Sequence, residues 1–341
     1  MSEPIGIAVD GGNSKTHLAL VGRDGAVLAL VAGPRSSPQH LGLDGCLDVL
    51  SQMLDEAGRE AGIASSDDGL AEVGWVLLAG ADLPAEEEAL QEALSARGWA
   101  RRMTVANDTF GVLRAGSDRG WGVAVVCGAG VNCVGVAPDG RETRFPALGL
   151  ITGDWGGGDD VGPAGLAAAA RGADGRGHPT RLQVAIPAHF GLETPQELAE
   201  AIHFGKIASE RLVEVAPIVL AEAESDPVAR EIVDRLAAEI VALARVALTR
   251  LDLLDQPADV LLGGGLIRAG RGGLVETVAE ELHPIAPRAE LHTVDAAPVV
   301  GAALLALDEL GAGDAAKRRL REGMAAAELP LVTAPVGGRD V

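Results

Sequence analysis

One arrangement of strands and glycine-rich turns occurs twice in this chain of 341 residues, and the repetition restricts the folds open to it. In the first copy, apolar runs at 5–9 and 18–21 flank a glycine turn, and an Asp-Gly turn leads into a third run at 26–31. The second copy covers 121–145 in the same order. Such self-similarity indicates an internal duplication, so we expect two related lobes that each present one loop to a shared cleft.

The first glycine turn has the composition of a phosphate-binding loop, with the sequence Asp10-Gly11-Gly12-Asn13-Ser14-Lys15-Thr16. Adjacent glycines let the backbone approach an anion, and the flanking side chains add a cation ligand and further donors. Walker A loops and Rossmann fingerprints both precede a helix, whereas here a second strand follows. An ordinary hairpin turn is the alternative for this stretch alone. A third glycine run at 263–265 also follows an apolar segment, so chance turns become a poor explanation.

Composition excludes several classes of partner. The formal net charge of −21 argues against nucleic acid or an anionic membrane surface, because both attract basic patches. The amino terminus lacks the features of a signal peptide, and no run approaches the roughly 18 apolar residues of a membrane helix. We therefore expect a cytoplasmic protein. The three cysteines, Cys46, Cys127 and Cys133, show no zinc-binding spacing, and we expect them to be buried in apolar surroundings.

Two predicted parallel strands are followed by polar residues, and the second of them ends at the position where open α/β sheets bind ligands. The apolar run at 73–79 is followed by Gly80-Ala81-Asp82, and the strand at 102–106 is followed by Asn107 and Asp108. A helix is predicted from Thr109 onward, directly after Asp108. Asp108 therefore has two interpretations, either the N-cap of that helix or a carboxylate that faces the cleft and takes part in chemistry. These residues alone favour the cap.

Other segments are too rich in glycine and polar residues to be regular core elements. The first is the loop at 32–40, and the second, at 147–162, has on these residues alone the composition of a flexible surface loop. Helical periodicity dominates 194–254 and predicts a long helix from about 226 to 253. From 311 onward we expect a short surface helix and a frayed end.

The ordered motifs DGG-x-[ST]-K-T, Asn-Asp, G-[TA]-G, GD-x-G and GGG together resemble the superfamily of acetate and sugar kinases, actin and Hsp70. Within it, the chain is most similar to the BadF/BadG/BcrA/BcrD group, and there to the N-acetylglucosamine kinases. The resemblance implies an α/β fold of two duplicated actin/ribonuclease H-like lobes with the active site in the interlobe cleft. Each lobe is expected to be a mixed five-stranded sheet with helices on both faces. The implied lobes are 1–116, joined by a helix at about 297–311, and 117–296, followed by a surface tail at 312–341.

By the same resemblance, the chain is an ATP-dependent kinase that phosphorylates the 6-hydroxyl of N-acetylglucosamine, uses Mg²⁺ and forms a homodimer. The resemblance implies that Asp10 holds Mg²⁺ and that Asp108 is the catalytic base for the sugar hydroxyl. The implied nucleotide-binding residues are Gly11, Gly12, Asn13, Lys15, Thr16, Gly128, Ala129, Gly130, Gly263 and Gly264. The implied substrate-binding residues are Ser37, Gln39, Asn107, Asp108, Asn132, Gly153 and Asp154.

Three departures from the family pattern bear on function. The second loop reads Gly-Ala-Gly-Val at 128–131 where the family has GTGS, so two hydroxyls are lost while the backbone donors stay. The family's N-acetylglucosamine kinases carry an Asn near Ser37 that is absent here. Trp155 replaces a residue of the family's GDEGS segment, and we expect it to stack on the sugar.

Two alternatives to phosphorylation of N-acetylglucosamine follow. The acceptor can be another amino sugar or hexose, such as glucosamine, because the residues that select it are uncertain. From another class, the chain can be an ATPase activator subunit or a nucleotide-switched regulator. An activator of this group needs thiolates at a dimer interface for an iron–sulfur cluster, whereas Cys127 and Cys133 lie beside the nucleotide loop.

Overall fold

A computed structural model of the chain describes residues 5–63 and 69–327. Their contacts divide the chain into two compact units. The first holds the described residues up to Asp118 together with those from Ala296 onward, and the second is Arg119–Asp295. Each unit contains a five-stranded mixed sheet with helices packed against it, which confirms the predicted fold class.

The strands and helices are numbered separately along the described chain. The strands are β1 (Ile5–Gly11), β2 (Lys15–Gly22), β3 (Val27–Pro34), β4 (Ala71–Leu78), β5 (Ala100–Asn107), β6 (Gly122–Cys127), β7 (Val131–Val136), β8 (Glu142–Arg144), β9 (Asp259–Gly263) and β10 (Glu290–Thr293). The helices are α1 (Pro38–Ala61), α2 (Pro84–Ala96), α3 (Thr109–Gly116), α4 (Gly158–Asp174), α5 (Leu182–His189), α6 (Pro195–His203), α7 (Ala216–Glu222), α8 (Pro227–Arg250), α9 (Gly265–Arg268), α10 (Leu274–Leu282), α11 (Pro298–Glu309) and α12 (Asp314–Ala326). Short 3₁₀ helices lie at Gly149–Ile151 and Ser209–Val215.

The two sheets share one topology. The first has the strand order β3-β2-β1-β4-β5, antiparallel from β3 to β1 and parallel from β1 to β5. The second has the order β8-β7-β6-β9-β10, again antiparallel from β8 to β6 and parallel from β6 to β10. The strands of the sequence repeat, β1–β3 and β6–β8, therefore hold equivalent positions, as a duplication requires.

Helices cover both faces of the first sheet. Ile7 and Val9 of β1 belong to an apolar cluster that includes residues of α1 and α2. On the other face, α11 packs against β1 near Gly6 and also lies against α3. The two helices approach closely where Gly111 meets Gly301. Glycine is needed there, because a Cβ at Gly301 would overlap the Gly111 carbonyl oxygen. This packing holds α3 at a fixed position beyond the end of β5.

The register of the parallel strands aligns the ends of β1, β4 and β5. Gly11 pairs with Leu78, and Leu78 in turn pairs with Asn107. The residues that follow these three positions therefore emerge side by side at the carboxyl edge of the first sheet. This edge carries Asp10, the glycine turn and Asp108.

The long predicted helix of the second unit is confirmed as α8. Its N-cap is Asp226, whose side chain accepts a hydrogen bond from the Val228 N–H at 2.9 Å. Its buried stripe, which includes Val233, Leu236 and Ile240, faces the second sheet, where α8 contacts β6 and β7. The predicted helix near the carboxyl terminus is α11, and the start of the predicted tail contains α12.

Residues 328–341 of the predicted tail lie outside the described residues. The same holds for residues 1–4, on which the expectation of no signal peptide rested. Within 5–63 and 69–327, no helix combines the length and apolar composition needed to cross a membrane.

Candidate active site

Three carboxylates, Asp10, Asp82 and Asp108, interact at the carboxyl edge of the first sheet. Burial raises the pKa of the half-buried Asp108 to about 7, and repulsion from Asp10 and then from Asp82 adds to the shift. Asp10 is the penultimate residue of β1, with a side chain that is 13% exposed. The Nδ1 atom of buried His17, its partner on β2, lies 3.8 Å from the Asp10 carboxylate.

Asn107, the last residue of β5, caps helix α3. Its Oδ1 atom accepts the Thr109 backbone N–H at 2.9 Å and the Thr109 hydroxyl as well. Asp108 occupies the N-cap position, but its side chain makes no capping hydrogen bond. The capping interpretation is therefore wrong for the Asp108 carboxylate, because its neighbour performs that role.

Asp82 joins this group, although the sequence analysis did not identify it as a site residue. It follows β4, and one carboxylate oxygen accepts from Asn107 Nδ2 at 2.7 Å while the other accepts from Gln39 Nε2 at 3.3 Å. Burial raises the pKa of Asp82 to about 6, and repulsion from Glu86 adds to it. The available signal was its position shortly after an apolar parallel strand.

The first glycine turn is a tight connection between β1 and β2. The Gly12 N–H donates to the Lys15 carbonyl oxygen at 2.9 Å, and Asn13, Ser14 and Lys15 are exposed. At Gly11, an added Cβ would overlap the Ser36 hydroxyl and a methyl group of Leu78. The part of the turn that is open to solvent is therefore Asn13, Ser14 and Lys15, and the assignment of this turn to an anion stays a prediction.

Two side chains that the sequence assigned to ligands are buried instead. Thr16 is fully buried, and its hydroxyl donates to the Pro34 carbonyl oxygen at 2.7 Å and lies 2.8 Å from the Ser36 hydroxyl. It ties β2 to β3, and the assignment of Thr16 to the nucleotide stays a prediction. Ser37 is also fully buried, and within the described part of the chain its hydroxyl has no hydrogen-bond partner. Of the two residues assigned to the sugar in this loop, Gln39 is the exposed one.

The second glycine loop packs against the start of α4. The carbonyl oxygens of Gly128 and Ala129 accept the N–H groups of Gly158 and Asp159, each at 2.9 Å. Gly128 is half-buried, whereas Ala129 and Gly130 are exposed. The carbonyl groups of the loop are thus bound within the second unit, and the exposed residues are those that can reach a ligand.

Three glycine-rich segments of the second unit meet at this loop. Gly157 has φ +74°, and a Cβ there would overlap the carbonyl oxygens of Ala129 and Gly130. Gly264 has φ +99°, and a Cβ there would overlap the backbone of Cys127. Gly263, by contrast, is buried as the last residue of β9. The structure therefore brings together the second and third glycine runs that the sequence identified separately.

The remaining predicted substrate residues lie near this loop in sequence. Asn132 is on β7 and accepts the Cys133 N–H at 2.7 Å, Gly153 is exposed, and half-buried Asp154 accepts from the Thr152 hydroxyl at 2.5 Å. Trp155 does not fit the predicted stacking role. It is 8% exposed within the second unit's core, and the Arg235 guanidinium lies 3.8 Å from its ring centroid. One ring face is therefore already occupied.

All three cysteines are buried, as predicted. Burial raises the pKa of the Cys46 thiol to about 11 and that of Cys127 to about 12, and it raises the pKa of Cys133 further. Metal and cluster binding require thiolates. Buried neutral thiols with apolar neighbours are the expected state of core residues instead.

Comparison with known proteins identifies the family. Residues 6–306 match the sequence model of the BadF/BadG/BcrA/BcrD ATPase family. An N-acetylmuramic acid/N-acetylglucosamine kinase of Clostridium acetobutylicum is 26% identical over 264 residues, which cover 76% of this chain and 85% of that relative. An N-acetyl-D-glucosamine kinase of Dictyostelium discoideum is 24% identical over 321 residues, which cover 90% of this chain and 99% of that relative.

A similar solved structure comes from Chromobacterium violaceum, where the protein is provisionally named an N-acetylglucosamine kinase. It has a TM-score of 0.69 and 23% sequence identity, and the match covers 90% of this chain and 100% of that one. At this identity the likeness establishes the fold. The family match spans all five motifs on which the sequence resemblance rested, and the chain therefore belongs to the BadF/BadG/BcrA/BcrD ATPase family.

Proposed function

We propose that this protein is an ATP-dependent sugar kinase that transfers the γ-phosphoryl group of ATP to the 6-hydroxyl of N-acetylglucosamine. The observation that carries the proposal is Asp108, whose carboxylate has a pKa raised to about 7 and makes no capping hydrogen bond. A general base works best when its pKa lies near the operating pH. Asp108 accepts the hydroxyl proton as the sugar oxygen forms its bond to the γ-phosphorus and the bond to ADP breaks.

The carboxylates at this edge suit Mg²⁺, because hard carboxylate and phosphate oxygens are the ligands that it prefers. Mutual repulsion among Asp10, Asp82 and Asp108, visible in the raised pKa of Asp108, is what a nearby cation relieves. Asp10 is the residue that we assign to the ion, directly or through water. Bound Mg²⁺ supplies neutralisation of the charge on the transferred phosphoryl group.

Nucleotide contacts come from backbone groups and one cation. In the first unit, we assign the exposed Lys15 and the backbone of exposed Asn13 to the β- and γ-phosphates, because the Gly12 N–H is bonded to the Lys15 carbonyl oxygen. In the second unit, we assign the N–H groups of exposed Ala129 and Gly130 to nucleotide binding, and half-buried Gly264 to the adenosine. The second loop lacks the two hydroxyls of the family's GTGS sequence. We therefore expect it to bind phosphate less tightly, through its backbone N–H groups alone.

The acceptor assignment is supported by the names of both curated relatives and by exposed Gln39 beside Asp82. A second candidate acceptor is N-acetylmuramic acid, which the Clostridium relative's name includes. The exposed Arg35, which precedes Ser36 and Ser37, is the observation that favours it, because a guanidinium can pair with the carboxylate of this sugar.

A coupled ADP-release assay tests the proposal with N-acetylglucosamine, N-acetylmuramic acid, glucosamine and glucose, with and without Mg²⁺. We expect Mg²⁺-dependent, sugar-stimulated ADP release and a 6-phosphate product, and we expect Asp108→Asn to lower both by roughly 10²–10⁴-fold. ATP hydrolysis that no sugar stimulates would instead favour a nucleotide-switched ATPase. The ranking of kcat/KM among the four sugars identifies the acceptor.

Two further expectations belong to this proposal. The enzyme acts in the cytoplasm, where its co-substrate ATP is available, and it works as a homodimer. Fractionation of the native cells tests the first expectation. Sedimentation velocity of the full chain tests the second.

A further inference from the structure

The Asp82 carboxylate receives two side-chain amides, one on each oxygen. Asn107 Nδ2 donates to Oδ1 at 2.7 Å, and Gln39 Nε2 donates to Oδ2 at 3.3 Å. Gln39 lies in the first turn of α1, and Asn107 directly precedes Asp108 at the end of β5. One carboxylate therefore links an exposed amide to the residue beside the proposed base.

An ionised carboxylate accepts hydrogen bonds and donates none, so it fixes which end of each amide faces it. Both NH₂ groups must point at Asp82, and both amide oxygens must point away. For Asn107, the outward oxygen is the one that accepts the Thr109 N–H and caps α3. For Gln39, the outward oxygen belongs to an exposed side chain and is directed away from the protein carboxylate.

Packing holds both partners of this bond in place. Gly80 lies under the Gln39 side chain, where an added Cβ would be 2.7 Å from Gln39 Cγ and 2.9 Å from Cδ. The backbone around Asp82 is fixed by Glu86, whose Oε2 accepts the N–H groups of Asp82 and Leu83 at 3.1 and 2.9 Å. The Gln39 side chain thus packs over Gly80, and its amide donates to the Asp82 carboxylate, whose backbone is held by Glu86.

We infer that Asp82 determines acceptor selectivity, because it turns the Gln39 amide oxygen outward as the acceptor for the acetamido N–H of the sugar. This inference rests on the proposed kinase function. An acetamido nitrogen can only donate, so a reversed Gln39 amide would set N–H against N–H. The hydroxyl that glucose carries at the same position can donate or accept, and it tolerates either orientation. Selectivity therefore depends on the orientation that Asp82 imposes.

The test compares Asp82→Asn, Gln39→Leu and the double variant at pH 8, where Asp82 is ionised. The amide that the first variant introduces can donate to Gln39 and reverse the Gln39 amide. We expect Asp82→Asn to lower the ratio of kcat/KM for N-acetylglucosamine to that for glucose by about tenfold, the effect of one lost hydrogen bond. Gln39→Leu should lower the ratio equally, and the double variant no further. Exposed Glu88→Gln on α2 is the matched control and should leave the ratio unchanged.

An equal loss for both sugars in Asp82→Asn would overturn the inference, as would a loss of selectivity that Gln39→Leu does not share. A second measurement is independent of catalysis. In ligand-free protein, the side-chain NH₂ signals of Gln39 and Asn107 in ¹H–¹⁵N spectra should both shift in Asp82→Asn and stay in place in Glu88→Gln. Unmoved signals would refute the amide orientation itself. Shifted signals in a protein that phosphorylates no sugar would retain the orientation but remove both the selectivity role and the kinase proposal.

Discussion

Replacement of Asp108 by Asn should separate catalysis from stability. Asn107 supplies the cap of α3, and the Asp108 side chain makes no capping hydrogen bond, so the substitution leaves the cap intact. The amide cannot accept the proton of the sugar hydroxyl. We therefore expect kcat to fall by roughly 10²–10⁴-fold, the usual contribution of a general base.

The same substitution should stabilise the protein at high pH. Burial and the neighbouring carboxylates raise the Asp108 pKa from 3.8 to about 7 in the folded protein, whereas the unfolded chain keeps the ordinary value. Above pH 7 the folded state holds an unfavourable charge, and the shift corresponds to roughly 4 kcal/mol as an upper limit. Below about pH 4 the group is protonated in both states, and the penalty disappears. The stability gained by Asn should therefore grow as the pH rises from 4 to 8.

Urea unfolding of the wild type and Asp108→Asn, followed by circular dichroism at pH 5 and pH 8 without Mg²⁺, measures this difference. The variant should be more stable than the wild type at pH 8, by up to roughly 4 kcal/mol, and less so at pH 5. Exposed Glu88→Gln removes one negative charge elsewhere and controls for net charge. Two results would refute the assignment of Asp108 as a general base with a raised pKa. One is a variant that is less stable than the wild type at pH 8, and the other is a variant that keeps wild-type turnover.

Three further outcomes are expected. The kcat/KM of the wild type should rise with pH through about 7, as Asp108 loses the proton that blocks its role, and a flat profile from pH 5 to 8 would contradict this. Asn107→Ala should cost about 1 kcal/mol in urea unfolding, because the Thr109 N–H loses its cap, and it should also lower kcat by displacing Asp108. Gly301→Ala should cost about 1–3 kcal/mol, because its Cβ overlaps the Gly111 carbonyl oxygen; an unchanged melting temperature would show that α3 and α11 can separate freely.

The sheets and the glycine loops could be predicted because their signals are local. Alternating and continuous apolar runs mark the strands, and glycine marks turns that need close backbone approach. The repeat at 5–31 and 121–145 then predicted the shared topology of the two sheets. The family resemblance supplied the five-stranded mixed sheets with packed helices that the structure shows in each unit.

The directions of individual side chains could not be predicted, because they depend on residues that are distant in sequence. Thr16 was assigned to phosphate, but its hydroxyl meets Ser36 across 20 positions of chain. Trp155 was expected to be available to a sugar, but Arg235 of α8 covers its ring. Asp82 was not predicted as a site residue, because its partner Gln39 lies 43 positions away in the sequence. In each case the partner is distant in sequence, so the contact depends on the tertiary fold and not on local pattern.

A chain with a net charge of −21 that binds ATP must solve an electrostatic problem, and the structure indicates how. Long-range repulsion is screened beyond about 8 Å at physiological salt, so the local groups decide whether a polyanion can bind. At the edge of the first sheet the local carboxylates repel one another, so under the proposed function we expect the nucleotide to be disfavoured as a bare anion and favoured as a complex with Mg²⁺. The backbone N–H groups that we assign to phosphate add partial positive charge without adding a basic patch. If these acids hold the cation as proposed, a strongly acidic protein can be selective for metal-bound nucleotide, because the same carboxylates repel the free anion.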